Sequence, residues 1–294
     1  MKRKSLVCIV LLLLPFAAPA WNGAGHRLVA ALAWQEMRPA ARERASELLR
    51  RHPDYARWRQ RQQEADVDYG VFQEASTWPD DIRRDPRFHD WDEPPTPRLP
   101  GFPDMLRQRH WHYLDRAAAE PGEIDTRLLT LANTLAHGKV ADQVYALPWF
   151  LHLVADLHQP LHTGGRDDRG GNAFTIENPY APRQPFMSLH RYWDDLPGPP
   201  WLRGRSLDQA LQRHIALPPP AQGDVADWLA ESQALLAGPV YPNAQGSLLP
   251  LVTPAFHRRA QAIAAARLAA AGRRLGRWLD QLLAPVPRPP AANR

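Results

Sequence analysis

The residues best placed to do chemistry stand in two short motifs of equal spacing. His152-Leu-Val-Ala-Asp156 lies in an apolar run that continues Leu-His-Gln-Pro-Leu-His162, and His190-Arg-Tyr-Trp-Asp194 repeats the pair. On a helix, residues four apart project from one face about one turn apart. Each histidine can therefore set a ring nitrogen beside a carboxylate oxygen. One isolated pair of this kind is as well explained by a surface hydrogen bond. The first pair, however, sits among apolar residues, where an unpaired carboxylate is costly to bury and a cation removes that cost. Pro160 then turns the chain and can bring His162 back to the same side. Imidazole and carboxylate ligands with positions left open for water are what catalytic zinc requires.

Weaker signals supply further ligands by type. Thr77-Trp78-Pro79-Asp80-Asp81-Ile82-Arg83 offers a carboxylate, or else a helix cap. His110-Trp111-His112-Tyr113-Leu114-Asp115 offers a histidine, or else a half-buried strand or helix edge. Trp21-Asn-Gly-Ala-Gly-His26 places a histidine five residues after a possible new N-terminus. A freed α-amine titrates near pH ~8, so amine plus carbonyl could chelate a metal there.

That N-terminus is expected because residues 1–20 read as a signal peptide. Three basic residues precede the apolar run 6–14, and Ala18-Pro19-Ala20 supplies a small-residue cleavage site. The apolar run is short for a membrane span. Cleavage after Ala20 leaves 274 of the 294 residues, lowers the net charge from +5 to +2 and removes the single cysteine, Cys8. No disulfide can then form, and a charge of +2 does not by itself imply a nucleic-acid partner. The expectation is a bacterial periplasmic or secreted protein, monomeric and without stable membrane association after cleavage.

Positioning these groups falls to helices. The 44% hydrophobic and 23% charged composition is that of a globular chain and excludes wholesale disorder. Apolar periodicity and breakers predict helices over 26–37, 39–51, 55–65, 124–135 and 140–157, with a kink or fresh start at Pro148. Shorter helices are expected over 208–215 and 224–236, and a long closing helix over 255–283. Residues 94–103 read as a surface loop, and 163–188 as a long functional loop or small hairpin. The fold class is all-α: a signal peptide over 1–20, one helical domain over 21–284, and a disordered tail over 285–294.

Taken in order, these motifs resemble the secreted zinc-dependent, single-strand-specific nucleases typified by the fungal S-one and P-one enzymes. The resemblance runs across the whole mature chain, from Trp21 through His26, Trp78-Pro-Asp80, Trp111-His112-Tyr-Leu-Asp115 and His152-x3-Asp156-x5-His162 to His190-x3-Asp194. It implies a largely helical domain around three zinc ions. Asp80, His112, His152 and Asp156 would hold one ion, and His162, His190 and Asp194 the second. The Trp21 amine and carbonyl, His26 and a shared Asp156 would hold the third. Clustered zinc ions lower the pKa of a shared water and clamp phosphoryl oxygens. The implied activity is therefore hydrolysis of single-stranded DNA and RNA to 5′-phosphorylated products, with 3′-nucleotidase activity as a further expectation.

Arg83 matches the family's transition-state cation, although spacing alone reads it as a surface ion-pair partner of Asp80 or Asp81. Catalysis is thus expected from Arg83, Asp80 and Asp156. Tyr113 and Asp115 match positions that stack a base and bond its edge; alternatively Tyr113 packs in the core and Asp115 orients His112. Asn172, in Gly170-Gly171-Asn172, is either a substrate contact or part of a tight turn. His158 is expected to be structural, and His52, His89, His110, His137, His214 and His257 to be surface or packing residues. Pro79 and Asp195 depart from the family pattern. Two rivals remain: a zinc-dependent phospholipase C, whose last pair resembles His-x3-Glu, and a non-catalytic zinc-binding periplasmic protein.

Overall fold

The computed structural model describes residues 21–116, 121–243 and 249–283. The signal-peptide expectation and that of a tail over 285–294 lie outside the described residues. In chain order the helices are α1 (Gly23–Glu36), α2 (Pro39–Arg50), α3 (Tyr55–Arg61), α4 (Val67–Ala75), α5 (Trp78–Asp81), α6 (Ile124–His137), α7 (Val140–Leu157), α8 (Leu189–Asp194), α9 (Gly204–Ile215), α10 (Val225–Leu236) and α11 (Pro254–Leu283). Strands β1 (Thr175–Glu177) and β2 (Phe186–Ser188) pair antiparallel, with Ile176 opposite Met187. The 163–188 region is therefore a loop followed by a small hairpin, and the domain is otherwise helical.

Two helices carry little polar surface because they are buried on nearly all sides. Every residue of α1 from Ala24 to Trp34 is buried, and so is every residue of α7 from Gln143 to Leu157. Asn22 starts α1 by accepting hydrogen bonds from the amides of Ala24 at 2.9 Å and Gly25 at 3.4 Å. The long α11 packs along α1, and glycine lets the two backbones approach. A Cβ at Gly272 would come within 2.3 Å of Leu32 Cβ, and one at Gly276 within 2.6 Å of the Ala33 carbonyl oxygen.

Helix α7 runs through Pro148 as a single element rather than restarting there. Its neighbours cover the turn where proline interrupts the hydrogen-bond ladder. The expected 55–65 helix ends early at Arg61, and α4 had no counterpart in the sequence reading. Asp66 explains both. Its side chain accepts from the amides of Asp68 and Tyr69, so the chain breaks to begin a new capped helix.

The C-terminal end of α7 is anchored from α11. Arg267 donates to the His158 carbonyl at 3.2 Å, and Arg274 donates to His158 Nε2 at 3.0 Å while pairing with Glu231 at 2.7 Å. His158 Nδ1 donates back to the Val154 carbonyl at 2.8 Å. This histidine is structural, as expected. The tryptophans divide: Trp21, Trp58, Trp78, Trp149 and Trp193 are fully buried, whereas Trp91 and Trp201 are exposed.

Candidate metal centre

Six separate segments deliver the expected ligands to one buried place. His26 comes from α1, Asp80 from α5, and His112 from the single 3₁₀ turn Arg109–His112. His152 and Asp156 come from α7, His162 from the 3₁₀ turn Pro160–His162, and His190 and Asp194 from α8. Their ligand atoms form three overlapping or adjacent groups, each within 4.8 Å: His26–Asp80–His152, His112–His152–Asp156 and His162–His190–Asp194.

Asp156 lies between two of these groups. Its Oδ2 is 3.0 Å from His112 Nδ1 and 3.2 Å from His152 Nε2, while Oδ1 is 3.4 Å from His26 Nε2. His26 Nε2 also stands 3.9 Å from Asp80 Oδ2, and its ring stacks on that of His152 at 3.8 Å. In the remaining group His190 Nε2 is 3.1 Å from His162 Nε2 and 3.4 Å from Asp194 Oδ2.

Backbone carbonyls aim the rings. His152 Nδ1 donates to the Ser76 carbonyl at 2.8 Å, His162 Nδ1 to the His112 carbonyl at 2.6 Å, and His190 Nδ1 to the Gly170 carbonyl at 2.7 Å. A carbonyl only accepts, so each Nδ1 carries a proton and each ring turns its Nε2 toward the cluster, the edge a metal would take. The Leu114 amide also donates to the His162 carbonyl at 2.8 Å, which pins the 112–114 strand of chain to the 160–162 turn. Gln159 Nε2 fixes Asp194 through Oδ1 at 2.9 Å. These orienting groups were not read from the sequence. Gln159 stood within the histidine motif as a signal, but no residue type marks a carbonyl.

The electrostatics call for added positive charge. Burial drives the imidazoles of His26, His112 and His162 well below the usual histidine range, so they are neutral, the form that binds metal. Burial pushes Asp156 up from 3.8 to about 6, and Asp194 well above the usual carboxylate range. For His152, burial also disfavours the charge, but Asp156 and Asp80 facing it more than offset that and raise its pKa. Among the described residues, buried His26 Nδ1 and Nε2, Asp80 Oδ1, Asp156 Oδ1 and Asp194 Oδ2 find no hydrogen-bond partner. Orphaned acceptors converging on bare imidazole nitrogens fit divalent cations, and the donor set is one that zinc accepts.

The remaining expected residues line up less uniformly. Arg83 is not a surface group: its side chain is only 10% exposed, and Nη1 stands 3.5 Å from Asp80 Oδ1. Asp81 instead pairs with Arg61 at 2.6 Å. Tyr113 and Asp115 are half-buried, immediately after His112. The Asp115 amide donates to the Pro121 carbonyl at 2.6 Å. Asn172 Nδ2 donates to the Arg169 carbonyl at 2.9 Å, so its side chain closes its own turn. That turn reaches the cluster through Gly170 and His190. The Trp21 indole is fully buried against α1, where a Cβ on Gly25 would come within 2.6 Å of Trp21 Cβ. Asp195 accepts from Asn22 Nδ2 at 3.1 Å, tying the start of α1 to the end of α8.

A helical frame closing on buried imidazole–carboxylate clusters, with a guanidinium at their edge, is the architecture of a metal-dependent hydrolase. Over residues 21–284 the chain matches the family described as S1/P1 Nuclease, and it belongs to that family. Two curated plant proteins are similar to it. Endonuclease 2 of Arabidopsis thaliana is 25% identical over 200 residues, covering 64% of this chain and 61% of the relative. Endonuclease 4 of the same plant is 26% identical over 137 residues, covering 43% of each. Both matches span less than two thirds of the relative's length.

Proposed function

We propose that this chain is an exported zinc-dependent phosphodiesterase that hydrolyses single-stranded DNA and RNA to 5′-phosphorylated products, with 3′-nucleotidase activity on the same centre. Membership of a nuclease family supports the reaction class. The observation that supports the metal assignment is the set of orphaned carboxylate oxygens facing imidazoles whose Nε2 atoms are aimed at them. Asp80, His112, His152 and Asp156 would hold one zinc ion, and His162, His190 and Asp194 a second. The amine and carbonyl of a processed Trp21, with His26 and Asp156, would hold the third. Asp156 suits a bridging role because its two oxygens face different histidines. When bound, zinc would supply activated water and neutralise charge on the phosphoryl group.

The chain's own residues do the rest. Arg83, held beside Asp80 in a largely enclosed place, offers a guanidinium that can pair with two phosphate oxygens at once. Asp80 and Asp156 both face His152 Nε2, at 3.8 and 3.2 Å, and would fix the ligand geometry there. Tyr113 would stack a base and Asp115 bond its edge. A base reaches such a platform only when it is free of its neighbours, which favours single strands. Asn172 would contact substrate through its Oδ1 or its second amide N–H, while the bond to the Arg169 carbonyl holds the side chain in place. Among the described residues no helix is long and apolar enough to cross a membrane. The protein is read as a periplasmic or secreted monomer.

The test uses protein that starts at Trp21, incubated with single-stranded DNA, RNA or phosphatidylcholine, each with and without chelator. Chelator-sensitive release of 5′-phosphorylated nucleotides is the expected result. Diacylglycerol release alone would move the chain to the phospholipase reading. Zinc-loaded protein inert on all three would leave a structural metal site.

A further inference from the structure

The loop between His162 and β1 is strained in a way that one buried carboxylate resolves. Asp167 and Arg169 hold φ of 58° and 59°, in the left-handed region that side chains disfavour, and Gly170 and Gly171 follow at 62° and 78°. Gly170 cannot carry a side chain: a Cβ there would meet the Leu161 carbonyl oxygen at 2.5 Å. This contorted backbone presents two carbonyls to one metal-ligand candidate. The Gly170 carbonyl accepts from His190 Nδ1 at 2.7 Å, and the Gly171 carbonyl from the His190 amide at 3.2 Å.

Asp168, buried at the centre of the loop, spends both oxygens on holding this shape. Its Oδ1 accepts from the Gly171 amide at 2.8 Å and the Arg166 amide at 3.2 Å. Its Oδ2 accepts from the Tyr241 hydroxyl at 2.8 Å. Tyr241 follows α10 and is itself buried, and the Arg166 guanidinium lies over its ring at 4.0 Å. The path from Tyr241 to the cluster is thus short and continuous: hydroxyl to Asp168, Asp168 to the Gly171 amide, Gly170 carbonyl to His190.

We propose that Asp168 and Tyr241 are positioning residues for the His162–His190–Asp194 group, locking the loop so that the Gly170 carbonyl holds His190 with Nε2 turned toward His162 and Asp194. Partners behind a ligating histidine set its tautomer and ring orientation, and their loss typically costs about 10–100-fold in metal affinity. This inference rests on the metal reading of the centre. It adds that affinity in one group is set from a tyrosine on a different element, with no contact to the ion.

The experiment compares zinc-loaded wild type with Asp168→Ala, Asp168→Asn and Tyr241→Phe. Each is titrated with a zinc-binding dye that competes for the ions, and the His190 ring is followed by ¹⁵N NMR. Asp168→Ala is expected to release one class of ion about 10–100-fold more readily while the others keep their affinity, and the ¹⁵N signals should show His190 losing its fixed tautomer. Asp168→Asn keeps an acceptor for both amides and should fall close to wild type. Tyr241→Phe should lie between them. A purely structural role would lower the melting temperature of the metal-free variants while leaving every ion's affinity and the His190 tautomer unchanged, and would overturn the proposal. Wild type that holds no zinc at all would overturn the metal reading itself, and this inference with it.

Discussion

Replacing Asp156 by asparagine separates the two opposing effects of burying a carboxylate in this centre. Without metal, burial raises the Asp156 pKa from 3.8 to about 6. The folded state therefore binds the proton more tightly than the unfolded chain does. Wild-type stability is highest below the unfolded value and falls as pH rises through the interval between the two. A shift of roughly two units corresponds to about 3 kcal/mol once both states are ionised. Asparagine carries no charge, so in chelator the stability difference between Asp156→Asn and wild type should move in favour of the variant between pH 4 and pH 7, by at most about 3 kcal/mol. Acids remote from Asp156 titrate in both proteins and cancel in the difference, whereas His152, whose pKa Asp156 helps to raise, loses that partner in the variant and reduces the gain. Zinc should invert the order, because the variant lacks the charge that two histidine groups share across Oδ1 and Oδ2. Urea denaturation from pH 4 to 8, with chelator and with zinc, reads both effects. Parallel curves in chelator would refute the burial argument, and equal stabilisation of both proteins by zinc would refute the bridging role.

Arg83→Ala should lower kcat on single-stranded DNA by about 10²–10³-fold with a much smaller change in KM, as for loss of one transition-state donor; steady-state kinetics test this, and Arg83→Lys should recover only part of the rate. One alanine added before Trp21 should remove a single zinc ion per molecule by elemental analysis, and a full complement would count against the N-terminal chelate. Asp54 anchors the turn that carries Asp80, accepting from Trp78 Nε1 at 2.8 Å and pairing with Arg87 at 2.9 Å. Burial opposes its charge, yet these partners hold its carboxyl below the ordinary 3.8. Its contribution is present above that value and is lost as pH falls through the lowered one. Asp54→Asn should thus cost about 1–3 kcal/mol at neutral pH and converge on wild type in acid, as measured by denaturation.

Helices with a strong internal signal were legible in the sequence. The bounds of α7 agree with the expected 140–157, and α2, α6, α10 and α11 fall within two residues of theirs at each end. Helix α4 was missed because its start depends on a local choice: Asp66 caps a new helix instead of letting the charged run from Tyr55 continue. Pro148 was expected to kink or restart the helix; there is no restart, and burial on every side holds α7 together across it, a tertiary effect that local propensity does not contain. Spacing alone read Arg83 as a surface ion-pair partner of Asp80 or Asp81, and the resemblance as a catalytic cation; it does stand 3.5 Å from Asp80, but its enclosure depends on what packs over it, not on the residues beside it.

Periodicity and spacing determined the helical frame and the two His-x3-Asp pairs, because a helix sets His152 beside Asp156 and His190 beside Asp194; His26, Asp80 and His112 joined them only through the resemblance to a known family. Which nitrogen of His152, His162 and His190 faces inward is set elsewhere, by the carbonyls of Ser76, His112 and Gly170 that take the opposite proton. Every residue carries a carbonyl, so nothing in the sequence distinguishes these three. Only the folded chain, by bringing segments separated by 20 to 76 residues into hydrogen-bond contact, turns the histidines into a directed set of ligands.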